Sequence, residues 1–261
     1  MSDPGEVAGE VLRWHAERRP FEPFAARFGL TDVTSAYDVQ DIVMRRRREE
    51  RSSKPVGYKI GLTTPRMQAM CGVDAPIAGV VLGADVHPSG ASIPISRFVR
   101  LGIEFELAVR IGQDIDPSRL PATPADAAGV VDAICPAIEL IEDRDADYSG
   151  GLDALSLVAD NAWNAGIVLG GFRTAFPEPG NLAADVALDG EMIDRGNSRD
   201  ALGHPFATVV WLARHLASRG QALRRGDIVM TGSIVPTRFP KAGERYRLTL
   251  EGLGSVEVAL T

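Results

Sequence analysis

Between Ile103 and Ile111 the chain alternates without a break, with Ile103, Phe105, Leu107, Val109 and Ile111 on one side and Glu104, Glu106, Ala108 and Arg110 on the other. A two-residue period of this kind belongs to a β-strand with one strongly apolar face. A helix would put Glu104 and Glu106 on nearly opposite sides. On a strand both carboxylates share a face, a few ångströms apart. Such a face either meets solvent, where the glutamates are ordinary surface charges, or lines a pocket, where two adjacent carboxylates repel each other and call for a cation. On the pattern alone, solvent is favoured.

The rest of the chain sets the context of that strand. Gly5 to Arg19 carries Val7, Val11, Leu12 and Trp14 at helical spacing, with Pro20 and Pro23 ending the helix. A second helix opens near Thr34, capped by Thr34 or Ser35, and runs into the basic stretch Arg45 to Arg51, read as a solvated helix end. From Pro55 the grammar changes to short strands punctuated by Gly and Pro. Strands are expected over Val56–Leu62, Ile77–Leu82, Pro136–Arg144, Ile167–Gly171, Asp227–Ser233, Tyr246–Leu250 and Val256–Leu260. A loop is expected at His87–Ala91, and a hairpin turning at Asp189-Gly190. Helices are expected over Thr64–Met70, with Pro65 in the first turn, over Pro124–Ile134, and over Pro205–Arg219 ended by Gly220. Strong βαβ alternation is absent, which predicts a β-rich α+β domain over residues 55–261 behind a helical N-terminal portion over 1–54.

Several function classes drop out. A net charge of −7 and the lack of interleaved basic and aromatic residues argue against a nucleic-acid partner. No apolar run approaches the length of a membrane span, and the N-terminus has neither a basic nor an apolar leader segment, so no membrane role is expected. Two cysteines, Cys71 and Cys135, are too few for a disulfide framework and suit a reducing cytoplasm, with both thiols as core filler. No glycine-rich loop has dinucleotide or phosphate-binding spacing, and no nucleophile elbow is present. The four histidines are scattered, and His204, just before Pro205, reads as a turn residue.

What remains is carboxylates and one lysine. Glu139 lies between Ile138 and Leu140, a setting in which a carboxylate is rare unless paired or bound to a metal. Glu104, Glu106 and Glu139 together would form an all-oxygen site, suited to Mg²⁺, Mn²⁺ or Ca²⁺ rather than zinc. Lys59 stands alone among Val, Tyr, Ile and Leu. Beside a cation its pKa should fall, making it a proton shuttle.

In order and at matching spacing, the chain carries Gly57-Tyr-Lys-Ile-Gly-Leu-Thr63, Ile103-Glu-Phe-Glu-Leu-Ala108, Pro136-Ala-Ile-Glu139, Ala159-Asp-Asn-Ala162, Leu202-Gly-His-Pro205, Trp211-Leu-Ala213, Gly226-Asp-Ile-Val-Met-Thr-Gly-Ser233 and Gly252-Leu-Gly-Ser-Val256. From Ala36-Tyr-Asp-Val-Gln40 to its end it resembles the 2-hydroxypenta-2,4-dienoate (2-keto-4-pentenoate) hydratases and 4-oxalocrotonate decarboxylases of the fumarylacetoacetate hydrolase superfamily. The resemblance implies a mixed β-roll, Mg²⁺ or Mn²⁺ held by Glu104, Glu106 and Glu139, and Lys59 as the active-site lysine. It also implies substrate contacts from Ser233, Asp160, Trp163 and Ile77, a small 2-oxo acid as substrate, and a homo-oligomer that can join another enzyme of its pathway.

The activity it implies is hydration of a small 2-hydroxy-2,4-dienoate to a 4-hydroxy-2-oxo acid in aromatic catabolism. The alternatives are decarboxylation of a 4-oxalocrotonate-like diacid, C–C hydrolysis, or a partner subunit without activity. Two departures bear on the choice. Hydratases of this kind usually carry a P-D-F-G-like segment, and here Asp74-Ala-Pro-Ile-Ala-Gly79 puts Ile77 at the aspartate position, which leans towards the decarboxylases. The Ala-Asp-Asn-Ala motif usually continues with a small serine, and here continues with Trp163, which reshapes the pocket.

Overall fold

The computed structural model describes residues 2–149 and 151–261. Helix α1 (Pro4–Ala16) starts where Asp3 caps it and Pro4 fits its first turn. It stops short of the expected Arg19, because Arg18 takes a φ of 53° and leaves helical geometry. A four-residue helix, α2 (Ala25–Phe28), was not expected. Helix α3 (Val33–Glu50) is capped by Asp32, which accepts the Ser35 N–H at 2.8 Å, rather than by Thr34 or Ser35. Its basic end is not uniformly solvated: Arg51 pairs with Asp85 at 2.5 Å, and Arg47 is half-buried.

Beyond it the chain forms β1 (Pro55–Gly61), α4 (Pro65–Met70), β2 (Ile77–Leu82), β3 (Val86–Pro88), β4 (Ala91–Ile93), β5 (Leu101–Ile111), α5 (Pro124–Ala128) and β6 (Val131–Glu142). It continues through α6 (Ala154–Ala159), β7 (Asn164–Leu169), β8 (Ala183–Leu188), β9 (Glu191–Asn197), α7 (Pro205–Ser218), β10 (Ile228–Met230), β11 (Arg245–Leu250) and β12 (Gly254–Leu260). A curled seven-stranded sheet runs β2-β1-β10-β5-β6-β7-β3, and a five-stranded sheet runs β4-β12-β11-β8-β9. The expected loop at His87–Ala91 is the crossing between them: β3 ends one sheet and β4 begins the other, around Gly90 at φ 86°.

Most other expectations differ only at their ends. The helix expected to reach Ile134 stops at Ala128, because residues from Val131 onward pair with β5 along its whole length, and a full ladder outweighs local helix preference. The hairpin turns at Asp189 and Gly190, both left-handed, as a two-residue turn of this hand requires. One continuous core joins Val7 and Tyr37 of the N-terminal helices to Leu260 of the last strand. Both cysteines are buried and free. Among the described residues no helix is long and apolar enough to cross a membrane.

Candidate active site

Both faces of β5 are buried. Ile103, Phe105 and Leu107 join the main core. The glutamate face looks into the hollow of the curled sheet, beside a separate small cluster of Val81, Ala108, Cys135, Ala137, Ile167 and Met230. Register then determines what meets there. Glu104 lies opposite Glu139 on β6, so both point to the same side. Met230 of β10 lies between Ala108 of β5 and Lys59 of β1, which brings Lys59 to that side too. The face that the pattern alone assigned to solvent is therefore internal: Glu106 and Glu139 are 0% exposed and Lys59 4%.

Ligand atoms from Glu104, Glu106 and Glu139 all lie within 4.8 Å of one another. Each carboxylate is held by one arm. Thr237 Oγ1 donates to Glu104 at 2.6 Å, the Gly232 N–H to Glu106 at 2.8 Å, and Asn164 Nδ2 to Glu139 at 2.9 Å. Lys59 Nζ stands 3.3 Å from the same Glu139 oxygen. Glu106 Oε1 and Glu139 Oε2 are buried with no hydrogen-bond partner among the described residues. Two orphaned carboxylate oxygens in the interior are costly unless a cation meets them. An all-oxygen donor set of this charge fits a hard divalent ion.

The electrostatics agree. Burial, then Glu139 and Glu104, push the Glu106 carboxyl well above its ordinary range. Burial raises Glu139 as well, against the pull of Lys59. For Lys59 burial disfavours the charge, but without a cation Glu139, Glu104 and Glu106 outweigh burial and hold it above its usual value; the expected fall belongs to the site with a cation bound.

The group opens onto a cavity of about 530 Å³ that Lys59, Glu104, Ile77, Trp163 and Ser233 help to line. Ile77 Cγ1 and Lys59 Nζ both lie 3.4 Å from the point where a Cβ on Gly61 would stand, so the two side chains flank Gly61 together. The Ser233 hydroxyl donates to Val235 O at 2.6 Å, closing its own loop. Trp163 is carried by three successive left-handed residues, Asn161, Ala162 and Trp163, at φ 55°, 48° and 60°. Strain of this kind persists only where its surroundings over-determine it. Here Asn161 grips both polar groups of Val80, its Oδ1 accepting the N–H at 2.7 Å and its Nδ2 donating to the carbonyl at 3.0 Å. Phe21 packs edge-on against the indole at 5.0 Å.

Asp160 is not among the residues that line the cavity. It is 1% exposed, pairs with His15 Nε2 at 2.5 Å, and accepts from Arg144 Nη2 at 2.7 Å. Burial would raise its pKa, but His15 and Arg144 together hold it well below the usual carboxylate range. Its place is structural: it ties α1 to the turn that carries Trp163. His204 is the cap of α7, its Nδ1 accepting the Phe206 N–H at 2.9 Å.

Residues 67–261 match the family profile described as fumarylacetoacetate (FAA) hydrolase C-terminal. The chain belongs to the fumarylacetoacetate hydrolase family. Among curated relatives, 2-keto-4-pentenoate hydratase 2 of Dechloromonas aromatica is 34% identical over 96% of this chain and 95% of its own length. A 4-oxalocrotonate decarboxylase of Pseudomonas putida is 32% identical over 85% of this chain and 83% of its own. Among solved structures, 4-oxalocrotonate decarboxylase from Pseudomonas putida G7, complexed with magnesium and adipate, superposes with a TM-score of 0.89 at 29% identity, covering 99% of this chain and 97% of that one.

Three residues around the carboxylate group escaped the sequence reading. Asn164 follows Trp163 directly, and an amide at the start of a buried strand was its one visible signal. Thr237 gave none, since a Pro-Thr pair in a loop is ordinary. Gly232 was part of a quoted motif without a role. Its φ of 107° and the 2.5 Å that would separate an added Cβ from Thr63 show why only glycine turns its N–H onto Glu106.

Proposed function

We propose that this protein is a divalent-metal-dependent hydratase, converting a small 2-hydroxy-2,4-dienoate to a 4-hydroxy-2-oxo acid. The observation that carries the reading is the glutamate triad: unpartnered buried oxygens on Glu106 and Glu139, next to Glu104 and Lys59, which line the cavity. The hydratases and decarboxylases among its relatives support the same chemistry.

Glu104, Glu106 and Glu139 hold Mg²⁺ or Mn²⁺, the metals named for the decarboxylase structure and for a fumarylpyruvate hydrolase of the same fold. When bound, the ion would supply Lewis acidity to the head group of a 2-oxo acid. Thr237, Gly232 and Asn164 aim the three carboxylates. A bound cation would offset the glutamates that keep Lys59 protonated, and its free amine then takes the proton from the 2-hydroxyl and returns it at C5, which moves the double bond to C3–C4 and leaves a 2-oxo-3-enoate. Water then adds with its oxygen at C4 and a proton at C3. Trp163 and Ile77 shape the cavity over those carbons and limit access of bulk water. A homo-oligomer belongs to the same reading, supported by the edge strand β9 with its exposed Met192 and Ile193. So does a reducing cytoplasm, supported by two free buried thiols.

A second reading, decarboxylation of 2-oxo-3-hexenedioate, is favoured by one observation. Ile77, which flanks Gly61 together with Lys59, stands where the hydratase pattern has an aspartate, so position 77 offers the amine no carboxylate. Incubation with 2-hydroxypenta-2,4-dienoate and with 2-oxo-3-hexenedioate, each with Mg²⁺ or with EDTA, separates the two. Mg²⁺-dependent loss of dienol absorbance without CO₂ supports hydration. Release of CO₂ from the diacid alone transfers the assignment to decarboxylation, and no turnover of either refutes both.

A further inference from the structure

A volume of about 530 Å³ lies in the ~300–1,000 Å³ range of pockets that enclose drug-sized ligands. A five-carbon acid bound by its head group leaves most of it empty, and what surrounds the remainder is apolar. Met67, Met70 and Cys71 come from α4 and its C-cap, Leu152 and Leu157 from α6 and its approach. The Ala154 N–H donates to the Cys71 carbonyl at 3.1 Å and locks these segments into one wall. Ile77 and Trp163 continue that wall back to Lys59. At the glutamate end Thr63 abuts Gly232 and Thr237 holds Glu104; of the other polar lining groups, Thr64 caps α4, the Tyr148 hydroxyl donates to Asp143, and Asp200 is itself a carboxylate. Apart from Lys59, the one cation among the described lining residues is Arg66, which is exposed in the first turn of α4.

We infer that the substrate is a 2-oxo acid or dienol whose far end carries an apolar extension, propyl-sized or larger, lying on the wall of Met67, Met70, Cys71, Leu152 and Leu157. A distal carboxylate is disfavoured there, because these five side chains offer it no strong donor and would strip its water. The inference rests on the reading that a 2-oxo acid head group sits at the glutamates, and it sharpens which acids qualify. In the hydration step the extension stays attached at C5 and takes no part in the proton transfers.

Calorimetry on the full chain with Mg²⁺ tests this with unreactive probes: 2-oxopentanoate, 2-oxooctanoate and the diacid 2-oxohexanedioate. Burial of each methylene strengthens binding about fourfold, so 2-oxooctanoate should bind on the order of 50-fold more tightly than 2-oxopentanoate, with the diacid weakest. Met70 is 36% exposed, so Met70→Lys should leave the fold intact by circular dichroism. It should weaken 2-oxooctanoate and strengthen the diacid. A flat series, no binding by any probe, or a diacid that binds best through Arg66 overturns the inference. Failure of the hydratase reading looks different: the binding series holds while no dienoate is turned over. Conversely, turnover of 2-hydroxypenta-2,4-dienoate with a flat series removes the inference and leaves the activity.

Discussion

Replacing Glu106 by glutamine should make the metal-free protein more stable and end its response to Mg²⁺. The reasoning starts from three carboxylates whose ligand atoms lie within 4.8 Å of one another. At an effective dielectric of 20, two like charges at that distance repel by roughly 3 kcal/mol. Glu106 faces two such neighbours, and Lys59 offsets part of the repulsion. Fully buried, the group escapes by holding its proton, and that too costs stability at neutral pH. Glutamine removes the charge, keeps an acceptor for the Gly232 N–H, and turns an amide towards the unpartnered oxygen of Glu139. Allowing ~1–2 kcal/mol for an imperfectly paired amide, the net gain is about 1–3 kcal/mol. For a chain of this size that raises the melting temperature by about 3–8 °C.

The sign with pH follows. The folded pKa of Glu106 lies above its unfolded value of about 4.5. The stability it contributes is therefore fully present below that value and is lost as pH rises through the folded pKa. The gap between the variant and the natural protein in EDTA should widen from pH 5 to pH 8. Mg²⁺ at a hundred times its dissociation constant should add ~2.7 kcal/mol to the natural protein and little to the variant. Calorimetric melting at the two pH values, with EDTA and with Mg²⁺, reads all of this. A variant that is less stable than the natural protein in EDTA, or equally raised by Mg²⁺, would refute the account of the triad as a charge cluster awaiting a cation.

Three further outcomes are expected. Lys59→Met should lower turnover by about 10²–10⁴ while the Mg²⁺-induced rise in melting temperature persists, and loss of both together would mean that the lysine only organises the site. His215 lies between Tyr37 and Trp211, where burial and then Arg219 lower its pKa to about 4, so its stability is fully present above pH 6.5 and is lost as pH falls to 4. The full shift corresponds to ~3 kcal/mol, reduced to about 1–2 by partial exposure, and His215→Phe should flatten the melting profile across that window by this amount. Asn161→Ala removes both bonds to Val80 and leaves alanine in a left-handed position, which should cost about 2–3 kcal/mol in urea unfolding and raise KM more than it lowers kcat. An unchanged KM would show that the turn does not position Trp163 for substrate.

The triad was legible in part. The alternation of β5 placed Glu104 and Glu106 on one side, because period-two patterning survives in any strand with a buried face. It could not say that the other side was buried as well, since Glu-x-Glu-x-Ala is also the composition of a solvated face. That information lies in register: Glu139 opposite Glu104, and Lys59 two strands away through Met230. Registers are set by pairings across the sheet, and no local window contains them. Strand boundaries failed for a related reason at Val131, where the β5 ladder overrode an alanine-rich helical start.

Asp160 entered as a substrate contact through its place in the Ala159-Asp-Asn-Ala162 motif, and a motif does not say which way a side chain turns. It stands three residues from Trp163, yet its carboxylate turns away from the cavity to His15 and Arg144. The N-terminal segment also holds α6, the helix that leads into this turn, where the Ser156 hydroxyl oxygen accepts the N–H groups of Phe24 and Ala25 at 2.7 and 2.8 Å, and it reaches the turn itself through the Phe21 ring on the indole. Three left-handed residues in succession cost free energy that local sequence does not return. The N-terminal segment therefore does more than cover the core: His15 and Phe21 contact the turn that carries Trp163, and Phe24 and Ala25 hold the α6 helix that leads into it. A substitution that breaks only the His15–Asp160 contact, such as His15→Leu, should accordingly act on the cavity from across the fold, disturbing substrate affinity while leaving the melting response to Mg²⁺ in place.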